Sequence, residues 1–293
     1  MSSTGRKGGS KHRSPFLIAV LVALAVLLAG HPASAWQPAG GIVWSAEPFF
    51  EGIVKFGEWL PIRVILSNQG ADRSVEVHAT LASAEGQATY VQPVELPAGA
   101  HKQVTLYVMP SSFSRRLRLS LMEGSEELEH TTVELHPISY QALLVGIVAQ
   151  DPDALSALRT ISIRGGSPRA IAFDIDGVPD RVAGLGSFDV LVFNDVDTSQ
   201  LSPAQRQALT GWVHVGGHLI LGGGPSAALT TAGLPTELLP VTLDGTQTVQ
   251  ALPGLTDIAG EPVRVSGPFV VARSGVNSGA VMAEQDGVPL IVE

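Results

Sequence analysis

The chain has 293 residues, 45% hydrophobic and 15% charged, enough for one large or two ordinary globular domains. It has no cysteine, which excludes disulfides, thiolate nucleophiles, zinc–thiolate sites, iron–sulfur clusters and lipid attached to cysteine. The formal charge is -9, and the first 35 residues hold four basic residues and no acid, so the remainder carries -13. A chain with this negative charge is poorly suited to binding the phosphate backbone of a nucleic acid.

The N-terminus has the three-part pattern of a secretory signal peptide. A polar, basic segment precedes the 14 apolar residues Phe16–Ala29, and an Ala-Ser-Ala triplet ends at Ala35. Fourteen residues are short for a membrane span, which needs about 20. We therefore expect residues 1–35 to be a signal peptide, cleaved between Ala35 and Trp36, and the protein to be exported. An uncleaved membrane anchor is the alternative.

Residues 40–136 alternate apolar and polar side chains with period two, as antiparallel strands with one buried face do. Turn-forming sequences around Gly70, Gly99 and Gly124 separate the runs. Six or seven short strands in this length predict a β-sandwich. The apolar positions of four runs are Leu60, Ile62, Val64 and Leu66; Val75, Val77, Ala79 and Leu81; Val104, Leu106 and Val108; and Leu117, Leu119 and Leu121.

The same segment resembles a known class of surface modules. The stretches GEWLPIRVILSNQG and VELPAGAHKQVTLYV are similar to bacterial immunoglobulin-like modules of the adhesion and cell-surface type. Such modules act as spacers or binding modules, so the resemblance implies no chemistry here. The scattered histidines His78 and His101 fall on a polar strand face and a turn, and we expect both to be solvent-exposed.

From residue 138 the pattern changes to continuous apolar runs that alternate with helix signals. The run 142–149 is typical of a strand covered on both faces, and the runs 170–173, 188–194 and 218–221 predict three further strands. This alternation predicts an α/β domain over 138–293, with a parallel, doubly wound sheet. Two helices are predicted between these strands. The first begins at Asp151-Pro152, and its apolar positions are Ala154, Leu155 and Leu158. The second has Ser202 as its N-cap, Pro203 in its first turn and a capping box between Ser202 and Gln205; it ends at Gly216-Gly217, and its predicted buried positions are Ala208, Leu209, Trp212 and Val213.

Residues 188–224 carry a second resemblance. The stretch FDVLVFNDVDTSQLSPAQRQALTGWVHVGGHLILGGG looks like the core of class I glutamine-amidotransferase-like domains of the flavodoxin type, as found in exported bacterial proteins. Active members hold a nucleophilic cysteine on a tight turn after a strand. Here that turn falls at Gly222–Gly224, and Gly223 stands at the nucleophile's place, without a side chain to attack. The resemblance implies the fold without the amidotransferase reaction, and we assign no catalytic residue.

Two groups of residues are candidates for ligand binding. Asp195 and Asp197 follow the third strand of the predicted parallel sheet, where open α/β sheets bind ligands, and with Ser199 they could offer oxygens to Mg²⁺ or Ca²⁺. No third carboxylate is evident, so we favour turn and cap roles for them and expect no metal.

The glycines Gly222, Gly223 and Gly224 form the second candidate. Their backbone amides could approach an anion at the start of the next helix. The lysine and spacing of a phosphate-binding loop are missing, however, and a tight strand-to-helix turn explains three glycines equally well. We expect no cofactor.

The last stretch predicts a β-hairpin around Asp286-Gly287, between two apolar runs. In similar exported proteins this hairpin continues into another strand and later a membrane helix. The resemblance therefore implies that the domain continues beyond Glu293 and that a C-terminal anchor follows.

These observations favour one functional hypothesis over two others. The preferred hypothesis is an extracytoplasmic, membrane-associated binding or scaffold protein without catalysis, whose partner is an unknown protein or envelope component and not a nucleic acid. The first alternative is an envelope hydrolase or carbohydrate-active enzyme that uses carboxylates at the strand edge of the α/β domain. The second is a purely structural envelope component.

Overall fold

The computed structural model describes residues 41–83, 86–161 and 167–293. The predicted signal peptide, including its cleavage site between Ala35 and Trp36, lies outside the described residues and stays a prediction. Within the described ranges, no helix is long and apolar enough to cross a membrane.

Two antiparallel sheets form a β-sandwich in the first half of the described chain. One sheet has the order β1-β3-β6 and the other β5-β4-β7-β8, while two short strands, β2 and β9, pair in parallel. The alternation of apolar residues turns one face of each sheet inward, which is why the sequence predicted these strands. The strands are β1 (Ile42–Pro48), β2 (Ile53–Lys55), β3 (Leu60–Asn68), β4 (Arg73–Ser83), β5 (Gly86–Leu96), β6 (His101–Val108), β7 (Arg116–Glu123), β8 (Glu126–Glu134) and β9 (His136–Ile138).

The apolar positions predicted for the sandwich lie in its core. All of them are buried except Val104, which is partly buried and packs on the same core. His101 is exposed as expected, but His78 is only half-exposed. The reason is local: the His78 ring turns along the strand face and its Nε2 lies 2.8 Å from Glu76 Oε2.

Four parallel strands follow the sandwich. They are β10 (Leu144–Ala149), β11 (Arg169–Ala172), β12 (Val190–Asn194) and β13 (His218–Leu221), in the order β11-β10-β12-β13. Every neighbouring pair runs in parallel, as the alternation of strands and helix signals predicted. We call residues 144–231, which contain this sheet, the α/β part.

Helix α1 (Pro203–His214) is the best-specified element of the α/β part. The Ser202 side chain accepts from the Gln205 backbone, and the Gln205 side chain accepts in return from the Ser202 backbone, so the predicted capping box is confirmed. Ala208, Leu209 and Trp212 are buried, and the chain leaves the helix through Gly216 at a φ of 104°.

We expect Ser202→Ala to lower the free energy of unfolding by about 1 kcal/mol, because it removes the acceptor for the Gln205 amide. Equilibrium urea denaturation measures the loss. Ser226→Ala is the matched control, since Ser226 precedes a helix without making a side-chain cap bond. Equal losses in the two variants would contradict the capping assignment.

The element predicted after Asp151-Pro152 is a 3-10 helix, Pro152–Arg159, rather than an α-helix. Asp151 caps it as expected, through the Asp153 amide. Leu155 and Leu158 pack against the sheet, but Ala154 is exposed, so the predicted three-residue apolar stripe is wrong at that position. With three residues per turn, positions 155 and 158 coincide on one face and position 154 points elsewhere.

Helical elements cover both faces of the parallel sheet. On one face Val145, Ile147 and Val192 pack with the leucines of the 3-10 helix. On the other, Leu191 and Phe193 join α1 and the sandwich in one continuous hydrophobic core. The sandwich and the α/β part are therefore packed against each other through buried apolar residues.

A buried ion pair also joins the sandwich to the α/β part. The Lys55 ammonium, at the end of β2, lies 2.6 Å from Asp189 Oδ2, and the lysine side chain is only 7% exposed. The same carboxylate oxygen accepts from the Leu144 amide at 2.7 Å, and the Lys55 amide donates to Ser187 Oγ at 3.1 Å.

Two antiparallel hairpins end the described chain. Strands β14 (Val241–Val249) and β15 (Phe269–Val276) form the first, and β16 (Val281–Gln285) and β17 (Val288–Val292) form the second. Asp286 and Gly287 have φ values of 52° and 77°, which a tight hairpin turn requires, so the predicted hairpin is confirmed. Two short helices, α2 (Ala227–Thr231) and α3 (Thr256–Ala259), lie between β13 and β15.

Candidate functional site

Asp195 and Asp197 lie just beyond the carboxyl end of β12, where the sequence placed them. Asp197 Oδ1 accepts from the Ser199 amide at 3.0 Å and from Ser199 Oγ at 2.6 Å, which caps the turn Thr198–Gln200. Asp195 has a φ of 52° and accepts from Asn194 Nδ2 at 3.0 Å. These hydrogen bonds are those of turn and cap residues.

The environment of Asp197 stabilises its charged form. The hydrogen bonds from Ser199 hold the pKa of the Asp197 carboxyl below its usual range. Over the described ranges, no group of three or more histidine, aspartate or glutamate side chains is placed to hold a metal ion.

We expect Asp197→Asn to make stability less dependent on pH in acid. A carboxyl whose pKa is lowered on folding contributes stability above its unfolded pKa of about 3.9, and loses it as pH falls through the lower folded value. The melting temperature should therefore fall less steeply below pH 4 in the variant than in the wild type. Asp153→Asn is the control, because that carboxylate is 89% exposed and has only a distant partner, Arg159 at 3.9 Å. Identical slopes would contradict the cap role.

The three glycines form the turn after β13. The Gly222 amide donates to the Phe193 carbonyl at 2.8 Å, and a Cβ on Gly222 would overlap Asn194 Oδ1, so a larger residue here would displace the Asn194 side chain. The Gly223 carbonyl accepts from the Ala272 amide of β15 at 2.7 Å, and a Cβ on Gly223 would meet the Ala272 methyl at 3.9 Å. Strand β15 thus lies beside the position that the resemblance assigns to a nucleophile, and Gly223 itself is exposed.

The helix after these glycines differs from the expectation. Helix α2 has five residues, and Ser226 makes no side-chain cap bond to it. A single short turn gives little of the macrodipole on which the anion-binding hypothesis depended. The structure therefore gives that hypothesis no support beyond the glycines themselves.

A cleft that the sequence did not reveal lies between the sandwich and the α/β part. We call it the junction cleft; its volume is about 340 Å³. Gln103, Thr105 and Tyr107 line it from one face of β6. The loop Ile175–Asp180, which follows β11, and residues 200–205, which follow β12, line the other side. Loops after parallel strands are where open α/β sheets bind ligands.

Tyr107 and Asp180 form a hydrogen bond at the edge of the junction cleft. Tyr107 Oη donates to Asp180 Oδ1 at 2.6 Å, and the Arg181 guanidinium lies 5.0 Å from the centre of the tyrosine ring. Burial, together with the bond to Asp180, raises the pKa of the Tyr107 hydroxyl far above its ordinary value. Tyr107 is therefore a fixed hydrogen-bond donor to Asp180.

The first turn of α1 holds the opposite wall in place. Gln205 Nε2 donates to the Val178 carbonyl at 2.7 Å, and Gln205 Oε1 accepts from the Ser202 amide at 2.8 Å. Because both ends of the Gln205 amide are used, the loop Ile175–Asp180 is tied to the helix and the cleft wall is preformed.

The comparisons with known proteins give a domain family for the first part of the chain. The family that matches is described as a Domain of unknown function (DUF8726), over residues 41–136. This match coincides with the sandwich. No curated protein matches the chain.

Several solved structures are similar to parts of the chain. The CARDB domain of the PF1109 protein from Pyrococcus furiosus, in complex with di-metal ions, is 14% identical over 33% of this chain and 93% of that chain, with TM-score 0.27. A PapD-like domain of human CEP192 is 14% identical over 38% and 94%, with TM-score 0.22. Both are immunoglobulin-like domains. A Paenibacillus cycloisomaltooligosaccharide glucanotransferase is 11% identical over 59% and 27%, with TM-score 0.25.

Proposed function

We propose that this protein is an extracytoplasmic, membrane-associated binding or scaffold protein without catalytic activity, and that its ligand occupies the junction cleft. The observation that carries this proposal is the cleft itself. Its walls come from both β6 and the loops of the α/β part, and one continuous core fixes those walls relative to each other. A preformed concave site of this kind suits ligand binding, because little order has to be gained on binding.

Strand order supports the finer fold assignment within this proposal. Numbered from β10, the parallel strands lie in the order 2-1-3-4, which is the order of flavodoxin-type sheets. We infer that the α/β part is a flavodoxin-type, glutamine-amidotransferase-like domain, preceded by the immunoglobulin-like sandwich. Fold alone does not assign function, so the proposal rests on the cleft.

The absence of amidotransferase chemistry is part of the proposal. Gly223 stands at the nucleophile's place in the resemblance, and a glycine has no side chain that could attack a substrate. The hydrolase alternative would need a carboxyl group with a raised pKa in a cleft. The pKa of the Asp197 carboxyl is lowered instead, so it gives the hydrolase alternative no specific support.

Thermal stabilisation of the full chain tests the proposed binding. The compounds are nucleotides, amino acids, sugars and soluble envelope fragments, each at high excess. A ligand that binds only the folded protein adds about 2.7 kcal/mol at a hundredfold excess over Kd. Thr105→Trp fills the cleft and should abolish the shift, while Thr132→Trp, at an exposed site on β8, should keep it.

The outcomes separate binding from other roles. A shift that Thr105→Trp removes supports the cleft as the binding site. A shift that survives Thr105→Trp places the ligand elsewhere and contradicts the proposal. If no compound stabilises the chain, a structural role replaces ligand binding. Fractionation of cells that produce the full chain tests the proposed location, and recovery in the cytoplasm would contradict export.

A further inference from the structure

The junction cleft offers both hydrogen-bond donors and acceptors that the described residues leave free. The Gln103 amide and the Thr105 hydroxyl line the cleft and make no side-chain hydrogen bond within the described ranges. The Ser202 hydroxyl accepts from Gln205 and keeps its own hydrogen for donation. Asp180 uses Oδ1 for Tyr107 and has Oδ2 free to accept. A ligand that both donates and accepts, as hydroxyl groups do, would use all of these groups.

The charged groups that line the cleft are carboxylates, and each already has a partner. The carboxylates of Asp176 and Asp180 line it, and no lysine or arginine among the residues that the structure describes does so. The Arg63 guanidinium stands next to them, bonded to Asp176 and to Glu47 at 3.3 Å each. Arg181 stands over Tyr107. An anionic ligand would face two carboxylates. Because Asp176 is already paired with Arg63 and Asp180 already accepts from Tyr107, neither carboxylate needs a cationic partner, and a neutral ligand fits the cleft.

Apolar side chains complete the wall. Phe49, Ile175, Val178 and Pro179 line the cleft between the polar groups. Small-molecule sites combine an apolar surface with a few placed polar groups, in volumes of about 300–1,000 Å³. At about 340 Å³ the cleft suits a small ligand that has one apolar face and hydroxyls on its rim.

From these three properties we propose that the ligand of the junction cleft is a neutral polyhydroxylated molecule, of the size and chemistry of a simple sugar. The hydroxyls would pair with Gln103, Thr105, Ser202 and the free oxygen of Asp180. The C–H face would pack on the apolar wall. This inference rests on the proposed function of the cleft and names its ligand class.

Isothermal titration of the full chain with defined probes tests the ligand class. The neutral probes are glucose, N-acetylglucosamine and cellobiose; the charged counterparts are glucosamine, a cation, and glucuronate, an anion. We expect at least one neutral probe to bind and its charged counterparts to bind more weakly. Thr105→Val keeps the shape of the side chain but removes the hydroxyl, and should weaken binding about five-fold. Thr132→Val, at the exposed site on β8, is the matched control and should change nothing.

The results distinguish this inference from the proposed function. If no neutral probe binds, or a charged counterpart binds more tightly, the ligand class is overturned. A different compound that stabilises the wild type but not Thr105→Trp would then leave the cleft as the binding site. If a neutral probe binds equally to wild type, Thr105→Val and Thr105→Trp, the site lies elsewhere and both proposals fail. Unfolding curves of each variant show that it is folded.

Discussion

Replacing Phe193 by alanine is expected to lower the free energy of unfolding by about 3–5 kcal/mol. Phe193 is fully buried in β12, a central strand of the parallel sheet, and it belongs to the core that the sandwich and the α/β part share. Its removal leaves a cavity in a core whose other elements stay fixed by their own contacts, so little collapse can offset the loss. Equilibrium urea denaturation followed by circular dichroism measures the effect.

Phe113→Ala is the matched control for this substitution. The Phe113 side chain is 68% exposed and stacks on Phe56 at a ring-centre distance of 5.1 Å. Surface substitutions of this kind change stability by about 0.5 kcal/mol or less. Equal effects of the two substitutions would show that the parallel sheet does not pack on the shared core.

The shared core also gives the Phe193 substitution a second readout. Because buried residues of the sandwich and of the α/β part belong to one cluster, the two parts should lose structure together. Tryptophan fluorescence reports both, through Trp44 in β1 and Trp212 in α1. Two separate transitions in the wild type would contradict a single cooperative core.

Much of the fold could be predicted because its signals are local. Alternation in β3 and continuous apolar runs in β10 and β12 each reflect how many faces of a strand are buried. The capping box at Ser202 and the turn at Asp286-Gly287 depend on residues that are close along the chain. Such local patterns can be recognised in the sequence without knowledge of the tertiary contacts.

What the sequence could not predict depends on distant contacts. The junction cleft uses Gln103, Thr105 and Tyr107, whose alternation also fits an ordinary solvent-facing strand. Only the packing of the loops after β11 and β12 against β6 makes that face part of a site. For the same reason, Lys55 carries no local sign of burial, because its partner Asp189 lies 134 residues away.

Strand β15 shows a related limit at the predicted strand-edge site. The resemblance identified Gly223 as a replaced nucleophile, and that inference needed only residues 188–224. That β15 lies beside this position could not be predicted from the sequence, since the hydrogen bond from Ala272 to Gly223 joins the turn to a strand 49 residues further on. A resemblance can show that a catalytic side chain is missing from a position, but it does not show which other element of the chain lies next to that position.

Asp189→Asn is expected to cost about 3 kcal/mol, at the lower end of the range for breaking a buried ion pair. The substitution leaves the Lys55 ammonium, with a side chain only 7% exposed, without its counter-ion. The lower end applies because the Asp189 side chain is 38% exposed, so solvent screens the pair in part. The amide oxygen of Asn can still accept from the Leu144 amide, which limits the change to the charge.

Substituting the other partner of the ion pair should lower the free energy of unfolding by less. Lys55→Met removes the buried charge, keeps most of the apolar stem, and leaves a carboxylate that solvent reaches and the Leu144 amide still binds. In the double variant neither charge of the pair remains, so the free energy of unfolding should fall by less than it does in Asp189→Asn alone. The double-mutant cycle, measured by urea denaturation, isolates this coupling.

Glu47→Gln supplies the comparison with an exposed pair. Glu47 pairs with Arg63 at 3.3 Å, and its side chain is 64% exposed. Glu47→Gln should therefore lower the free energy of unfolding by much less than Asp189→Asn does. Additive effects of Lys55→Met and Asp189→Asn would mean that the two charges do not interact. In that case the shared apolar core alone would join the sandwich to the α/β part. Strong coupling would instead make the ion pair a second contact, besides the apolar core, that joins the sandwich to the α/β part.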